Sequence, residues 1–224
     1  MIIHLTTYQQ IVSIVSALIL FSTFILLTQE KLLSLINTFV FQSLLLAIAT
    51  FVQAIFFKEY QLYVSVLLIF FLKVLFFPWF LHLLIKKLNI KNESARINHP
   101  FYLLLGSLVL VVFCYHIIAP ITVFASLTAK NIVVVALSVI LLGMLLMMTR
   151  KNAITHIIGF MVMENGLFFA ALMSTQGMPM VVELGVAFDL LVAVVLFGVF
   201  FFHIRSSIES LDVDSLNSLR EDME

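Results

Sequence analysis

Cysteine is almost missing from this chain: Cys114 is the one copy in 224 residues, and it lies in an apolar run. That excludes an intramolecular disulfide framework, a CxxC redox motif and any iron–sulfur cluster held by cysteines of this chain. Charge is scarce as well, at 11% of residues, and balanced at 12 basic against 12 acidic, so no bulk field favours nucleic acid. The first ten residues hold no Lys or Arg, and no small-residue cleavage motif follows them. The first apolar run therefore reads as a retained helix rather than a cleaved signal peptide.

What fills the chain instead is apolar surface. Hydrophobic residues make up 63% of it and 23 positions are phenylalanine, far from the composition of an ordinary globular domain. We read an all-α integral membrane protein. Runs of about 20 apolar residues, enough for a helix to cross roughly 30 Å of hydrocarbon, fall near 10–28, 33–56, 62–85, 101–124, 131–149, 152–174 and 179–203. Lys58 and Lys130 then lie on the side of the N-terminus. Lys31, Lys86, Lys87, Lys91, Arg96, Arg150, Lys151, Arg205 and Arg220 lie on the other. Such a bias predicts seven spans, with the N-terminus outside and the C-terminus cytoplasmic.

The polar loop KKLNIKNESARINHP divides the chain, and its Pro100 starts the fourth span. We expect an N-terminal three-helix half at 1–88, a hinge loop and connector helix at 89–126, a second three-helix half at 127–205, and a short cytoplasmic tail at 206–224. The second and sixth spans each carry a basic residue at the inner edge and a polar pair in the middle, Gln42-Ser43 and Glu164-Asn165. If these halves are repeats, the copies stand four spans apart and run parallel.

Three ionisable groups fall near mid-membrane. Glu164 lies twelve residues past the basic edge, Asp189 about ten residues into the last span from the other side, and Lys73 about eleven residues into the third. Each costs about 2.5–3.5 kcal/mol by insertion scales if it faces lipid, so they should face one another, a partner or water. Two readings are open: a structural ion pair such as Lys73 with Asp189, or a proton relay. Removal from water favours neutral forms and makes proton gain and loss cheap. His156 stands two turns before Glu164, about 12 Å away along the axis, and Glu183 near the outer edge suits either an outer mouth or a solvated helix end. His82, His156 and His203 lie near the cytoplasmic ends of their helices, where snorkelling to headgroups is the plain alternative. Gln42 and Gln53, three turns apart on one face, suggest side-chain hydrogen bonds to a neighbouring helix. Gly159, Gly166 and Ala170 form a small-residue face turned away from Glu164, and Pro78 should loosen the third span near residue 74.

The last three spans resemble the small three-helix subunit of complex I and the related small subunit of multi-subunit cation/proton antiporters. Lys151-Asn152, Gly159, Met163, Asn165 and Asp189 carry that likeness. One departure stands out. The family's first glutamate maps to Met161, whereas the acid here is Glu164, about 4.5 Å and 60° further along the helix. The whole chain resembles the seven-helix E subunit of hydrogenase-4-type, formate-hydrogenlyase-related membrane complexes, through FQSLLLA at 41–47, KVLFFP at 73–78, RKNAITHIIGFMVMENG at 150–166, VELGVAFD at 182–189 and LDVDSL at 211–216.

This resemblance implies a multi-pass subunit of a prokaryotic inner membrane. It would sit between antiporter-like subunits and a hydrogenase module, with the nickel-iron centre and iron–sulfur clusters in partner chains and no cofactor in this one. Lys73, Glu164 and Asp189 are the residues it implicates in proton translocation, with His156 and Glu183 as flanking candidates. Other readings are an antiporter or complex I-like subunit without hydrogenase, a haem-binding anchor using His82, His156 or His203, and a structural spacer.

Overall fold

The apolar runs are α-helices in the computed structural model of the chain, as hydrocarbon requires, because each backbone N–H and C=O must find its partner within the segment. The structure describes residues 2–87, 100–120, 127–150, 152–175, 185, 187–195 and 198. The helices are α1 (Ile2–Thr28), α2 (Leu32–Phe57), α3 (Tyr60–Ile69), a π-helical turn at Phe70–Phe76, α4 (Phe77–Lys87), α5 (Pro100–Ile118), α6 (Leu127–Thr149) and α7 (Ala153–Thr175). α3, the π segment and α4 join without a break, as one span.

Among the described residues six stretches are long and apolar enough to cross a bilayer: Thr7–Thr28, Leu32–Phe57, Tyr60–Lys86, Phe101–Ile118, Lys130–Thr149 and Ile154–Ser174. The expected seventh span, 179–203, lies mostly outside the described residues; 187–195 within it are helical. Glu183, His203, the loop at 88–99 and the tail at 206–224 lie outside them too. By its contacts the chain forms two units, Met1–Phe188 and Asp189–Glu224. Helices α1 to α7 all belong to the first, and Asp189 opens the second.

Some boundaries differ from expectation. α1 begins at Ile2 rather than near 10, since neither Gly nor Pro interrupts the chain before residue 28 and the helix runs past its apolar stretch. α5 ends at Ile118 rather than 124: Pro120 has no N–H to continue the ladder and disfavours helix at the residue before it. Lys58 takes the left-handed conformation, with φ 56°, and Glu59 is extended, which gives α2 and α3 a tight two-residue connection.

Pro78 does more than loosen the third span. In an α-helix its nitrogen would donate to the Val74 carbonyl, which proline cannot do. The turn before it widens to π geometry, in which the Phe77 N–H reaches back to the Leu72 carbonyl. Lys73 sits inside this widened turn and is 1% exposed.

α6 lies against α7, α1 and α5, while α2 lies against α1, α3 and α7. The α6–α7 crossing is set by glycines. A Cβ on Gly159 would meet the Met147 side chain at 2.6 Å and the Gly143 carbonyl at 3.1 Å; one on Gly166 would meet the Ile140 nitrogen at 2.9 Å. The small-residue face read from the sequence at Gly159 and Gly166 is therefore the seam with α6. α5 is joined to α6 through Cys114, Ile118 and Val134, with Phe101, Tyr102, Val109 and Phe113 exposed.

Helix ends are tied across the bundle. Arg150, in the α6–α7 connection, is buried; its Nη2 donates to the Leu27 carbonyl at 2.9 Å and the Gln29 carbonyl at 2.8 Å, at the C-terminus of α1. Orphan carbonyls and the negative end of the helix dipole both favour a cation there. Burial lowers the guanidinium pKa from its usual value, and neighbouring Glu30 opposes that shift. Lys130 Nζ caps α5 in the same manner through the Ala119 carbonyl. Arg150→Met should lower the stability of the purified protein by about 1.5–3 kcal/mol, the worth of a hydrogen bond to a charged group. Arg150→Lys should restore only part, because an ammonium lacks the guanidinium's fork. Thermal unfolding of the two variants checks this; wild-type stability in Arg150→Met would refute it.

Candidate functional site

Helix geometry decides which polar groups meet. On α2, Gln42 and Gln53 are eleven residues apart and share a face, with Ser43 and Thr50 at its side; all four are 0% exposed. Gln42 and Ser43 meet Asn165 of α7, and Gln53 Nε2 donates to the Leu172 carbonyl at 3.3 Å. The order of contacts is the same along both helices, so α2 and α7 run parallel. Tyr8 of α1 donates its hydroxyl to Gln53 Oε1 and closes this second node.

The centre of the bundle holds an ion pair. Lys73 Nζ lies 2.7 Å from Glu164 Oε1 and 2.9 Å from Asn165 Oδ1. The two charged side chains are 1% and 2% exposed. Two features bring them together: the π turn that carries Lys73, and the glycine seam, which fixes one face of α7 against α6 and leaves Glu164 directed at the third span. The network continues from Asn165 Nδ2 to Gln42 Oε1 at 3.5 Å and Ser43 Oγ at 3.4 Å, then from Gln42 Nε2 to Thr23 Oγ1 at 2.8 Å. Four spans thus share one buried polar network. Removing two charges from water costs several kcal/mol each, and close pairing with further hydrogen bonds is what offsets it.

Among the residues expected at the site, Lys73 and Glu164 are paired with each other. Asp189, in the second unit, is 4% exposed. His156 does not join the buried pair. It is exposed, and its Nδ1 lies 2.9 Å from the Asn152 carbonyl in the first turn of α7, which requires that nitrogen to carry the hydrogen. Its neighbour Asn152 caps the helix, with Oδ1 accepting from the Ile154 N–H at 3.1 Å. His82 is likewise exposed, with Nδ1 2.7 Å from the Pro78 carbonyl. Glu183 falls outside the described residues. Among the described residues no three His, Cys, Asp or Glu side chains group as metal ligands.

Sequence reasoning passed over Thr23 and the burial of Arg150. A hydroxyl in an apolar run was the available signal for Thr23. It gains meaning only when Gln42 is placed beside it.

No protein-family model matches the chain, and no solved structure matches it. Among curated proteins it is 30% identical to the uncharacterized protein Rv0085 of Mycobacterium tuberculosis over 154 residues, 67% of this chain and 69% of that protein. It is 29% identical to hydrogenase-4 component E of Escherichia coli, and equally to that of Shigella flexneri, over 128 residues. That alignment covers 57% of this chain and 59% of those proteins, so the chain spans about three fifths of the hydrogenase components it matches.

Proposed function

Because the chain belongs to the family of the Mycobacterium tuberculosis protein Rv0085 and is distantly homologous to hydrogenase-4 component E, we propose that it is a membrane-arm subunit of an energy-converting, hydrogenase-4-like complex that translocates protons. In this reading it has seven spans in a prokaryotic inner membrane, with the N-terminus outside and two parallel three-helix halves joined by a connector. Antiporter-like subunits and a hydrogenase module are its partners, and the nickel-iron and iron–sulfur centres belong to those chains.

The observation that carries the reading is the Lys73–Glu164 pair, buried at the meeting of the third span and α7. A carboxylate held 2.7 Å from an ammonium is poised to exchange a proton: protonation removes the negative partner, and the change in field is felt by every buried charge nearby. Asp189 is the second acid in this scheme. Glu183 and His156 stand as candidates for the ends of the path, with His156 already at an exposed edge.

Glu164→Gln and Asp189→Asn should each abolish proton transport coupled to redox turnover while the complex still assembles. Acidification of inverted vesicles, alongside the amount of complex in the membrane, measures both; retained transport in the two variants sinks the relay. Purification of the tagged chain from native membranes should also bring down antiporter-like subunits and a nickel-containing protein. Antiporter-like subunits without nickel would leave a transporter without hydrogenase.

A further inference from the structure

One residue dictates the polarity of the whole buried network. An ammonium has donors only, so Asn165 must turn Oδ1 to Lys73, at 2.9 Å. Its Nδ2 is thereby committed to α2, donating towards Gln42 Oε1 at 3.5 Å and Ser43 Oγ at 3.4 Å. Gln42 is left with Nε2 for α1, at 2.8 Å from Thr23 Oγ1. Thr23 accepts there and donates its own hydrogen to the Ile19 carbonyl at 2.8 Å, which is backbone inside α1 and cannot turn. Reversing either amide would set donor against donor where Thr23, Gln42, Lys73 and Asn165 are all at most 1% exposed.

We propose that Thr23 and Gln42 are positioning residues that lock the Asn165 amide with Oδ1 towards Lys73, so that the ammonium keeps a fixed acceptor when Glu164 takes up a proton. This rests on the proton-transfer reading and adds to it a neutral group that holds the cation. While Glu164 is ionised, the ammonium donates both to its carboxylate and to the Asn165 carbonyl oxygen. Protonation weakens the first interaction. The second is unaffected, because its orientation is set from α1 through neutral groups. Without Gln42, Asn165 Nδ2 keeps only the Ser43 hydroxyl of these two acceptors, and the amide is able to rotate.

Solid-state NMR on the full chain in lipid bilayers, with isotope-labelled lysine and asparagine, reads the proximity of Lys73 Nζ and Asn165 Cγ directly. Their cross-peak should survive in Glu164→Gln and disappear in Gln42→Met/Glu164→Gln. Thr23→Val/Glu164→Gln gives the same reading if Gln42→Met fails to insert. In native membranes holding the whole complex, Gln42→Met and Thr23→Val should each slow coupled proton transfer about tenfold, near the upper end of what one neutral hydrogen bond is worth. Thr23→Ser, which keeps the hydroxyl, should restore the rate. Disappearance of the cross-peak in Glu164→Gln alone, its persistence in both double variants, or a Thr23→Ser rate no better than Thr23→Val overturns the proposal. Retained proton transfer in both Glu164→Gln and Asp189→Asn overturns the relay reading instead, whatever the cross-peak does.

Discussion

Lys73→Met should destabilise the protein by about 3–5 kcal/mol, because it leaves the Glu164 carboxylate buried without its ammonium. Both side chains are nearly inaccessible, at 1% and 2%, so water cannot replace the lost partner. Replacing both together, Lys73→Met/Glu164→Leu, should recover most of the loss, since an apolar pair of similar volume is often as stable as a buried ion pair. Coupled proton transport should nevertheless stay abolished in the double variant. Stability and transport thus separate: the single variant loses both, the double variant only transport. Thermal unfolding in a fixed lipid or detergent, with transport in vesicles, makes the comparison. A single variant that melts with the wild type would show that the pair does not hold the bundle together, and transport in the double variant would remove it from the mechanism.

Gly143→Ala should be the most disruptive single-methyl change in α6. The added Cβ would stand 2.7 Å from the Met163 nitrogen, 3.0 Å from the Met163 Cα and 3.0 Å from the Gly159 carbonyl oxygen. All three are backbone atoms of α7 and have no rotamer to move into, so the helices themselves must separate. Overpacking of this kind costs about 1–3 kcal/mol. Met163 immediately precedes Glu164, so the same shift pulls the carboxylate from its position 2.7 Å from Lys73, and transport should fall with stability. Gly106→Ala is the matched control. Nothing lies within 4 Å of its added Cβ, and the helix gains roughly 0.5–1 kcal/mol from the better helix former. Equal stability in the two alanine variants would refute the close α6–α7 crossing.

The sequence alone determined the membrane class, the rough place of six helices and the intramembrane positions of Lys73 and Glu164. These arise from properties that act locally: the length of an apolar run, the cost of a charge in hydrocarbon, and the start signal at Pro100. It also marked Gln42-Ser43 and Glu164-Asn165 as corresponding pairs, and in the fold these two pairs touch. Pro78 announced a disturbance in the third span, because a missing N–H is legible from one letter.

Only the tertiary structure decided how the disturbance is resolved and which groups meet. Whether the freed turn kinks or widens to π depends on what packs around Lys73, and that choice aims the ammonium at Glu164. The burial of Arg150 depends on where α1 ends, beside Gln29, 121 residues from it in sequence. Thr23 belongs to the network only because α1 lies against α2. His156, two turns from Glu164 along one helix, stays exposed while Lys73, 91 residues away in sequence, forms the pair. Spacing along a helix sets direction and depth. Partnership is set by which other helix lies opposite, and that comes from long-range packing such as the glycine seam between α6 and α7.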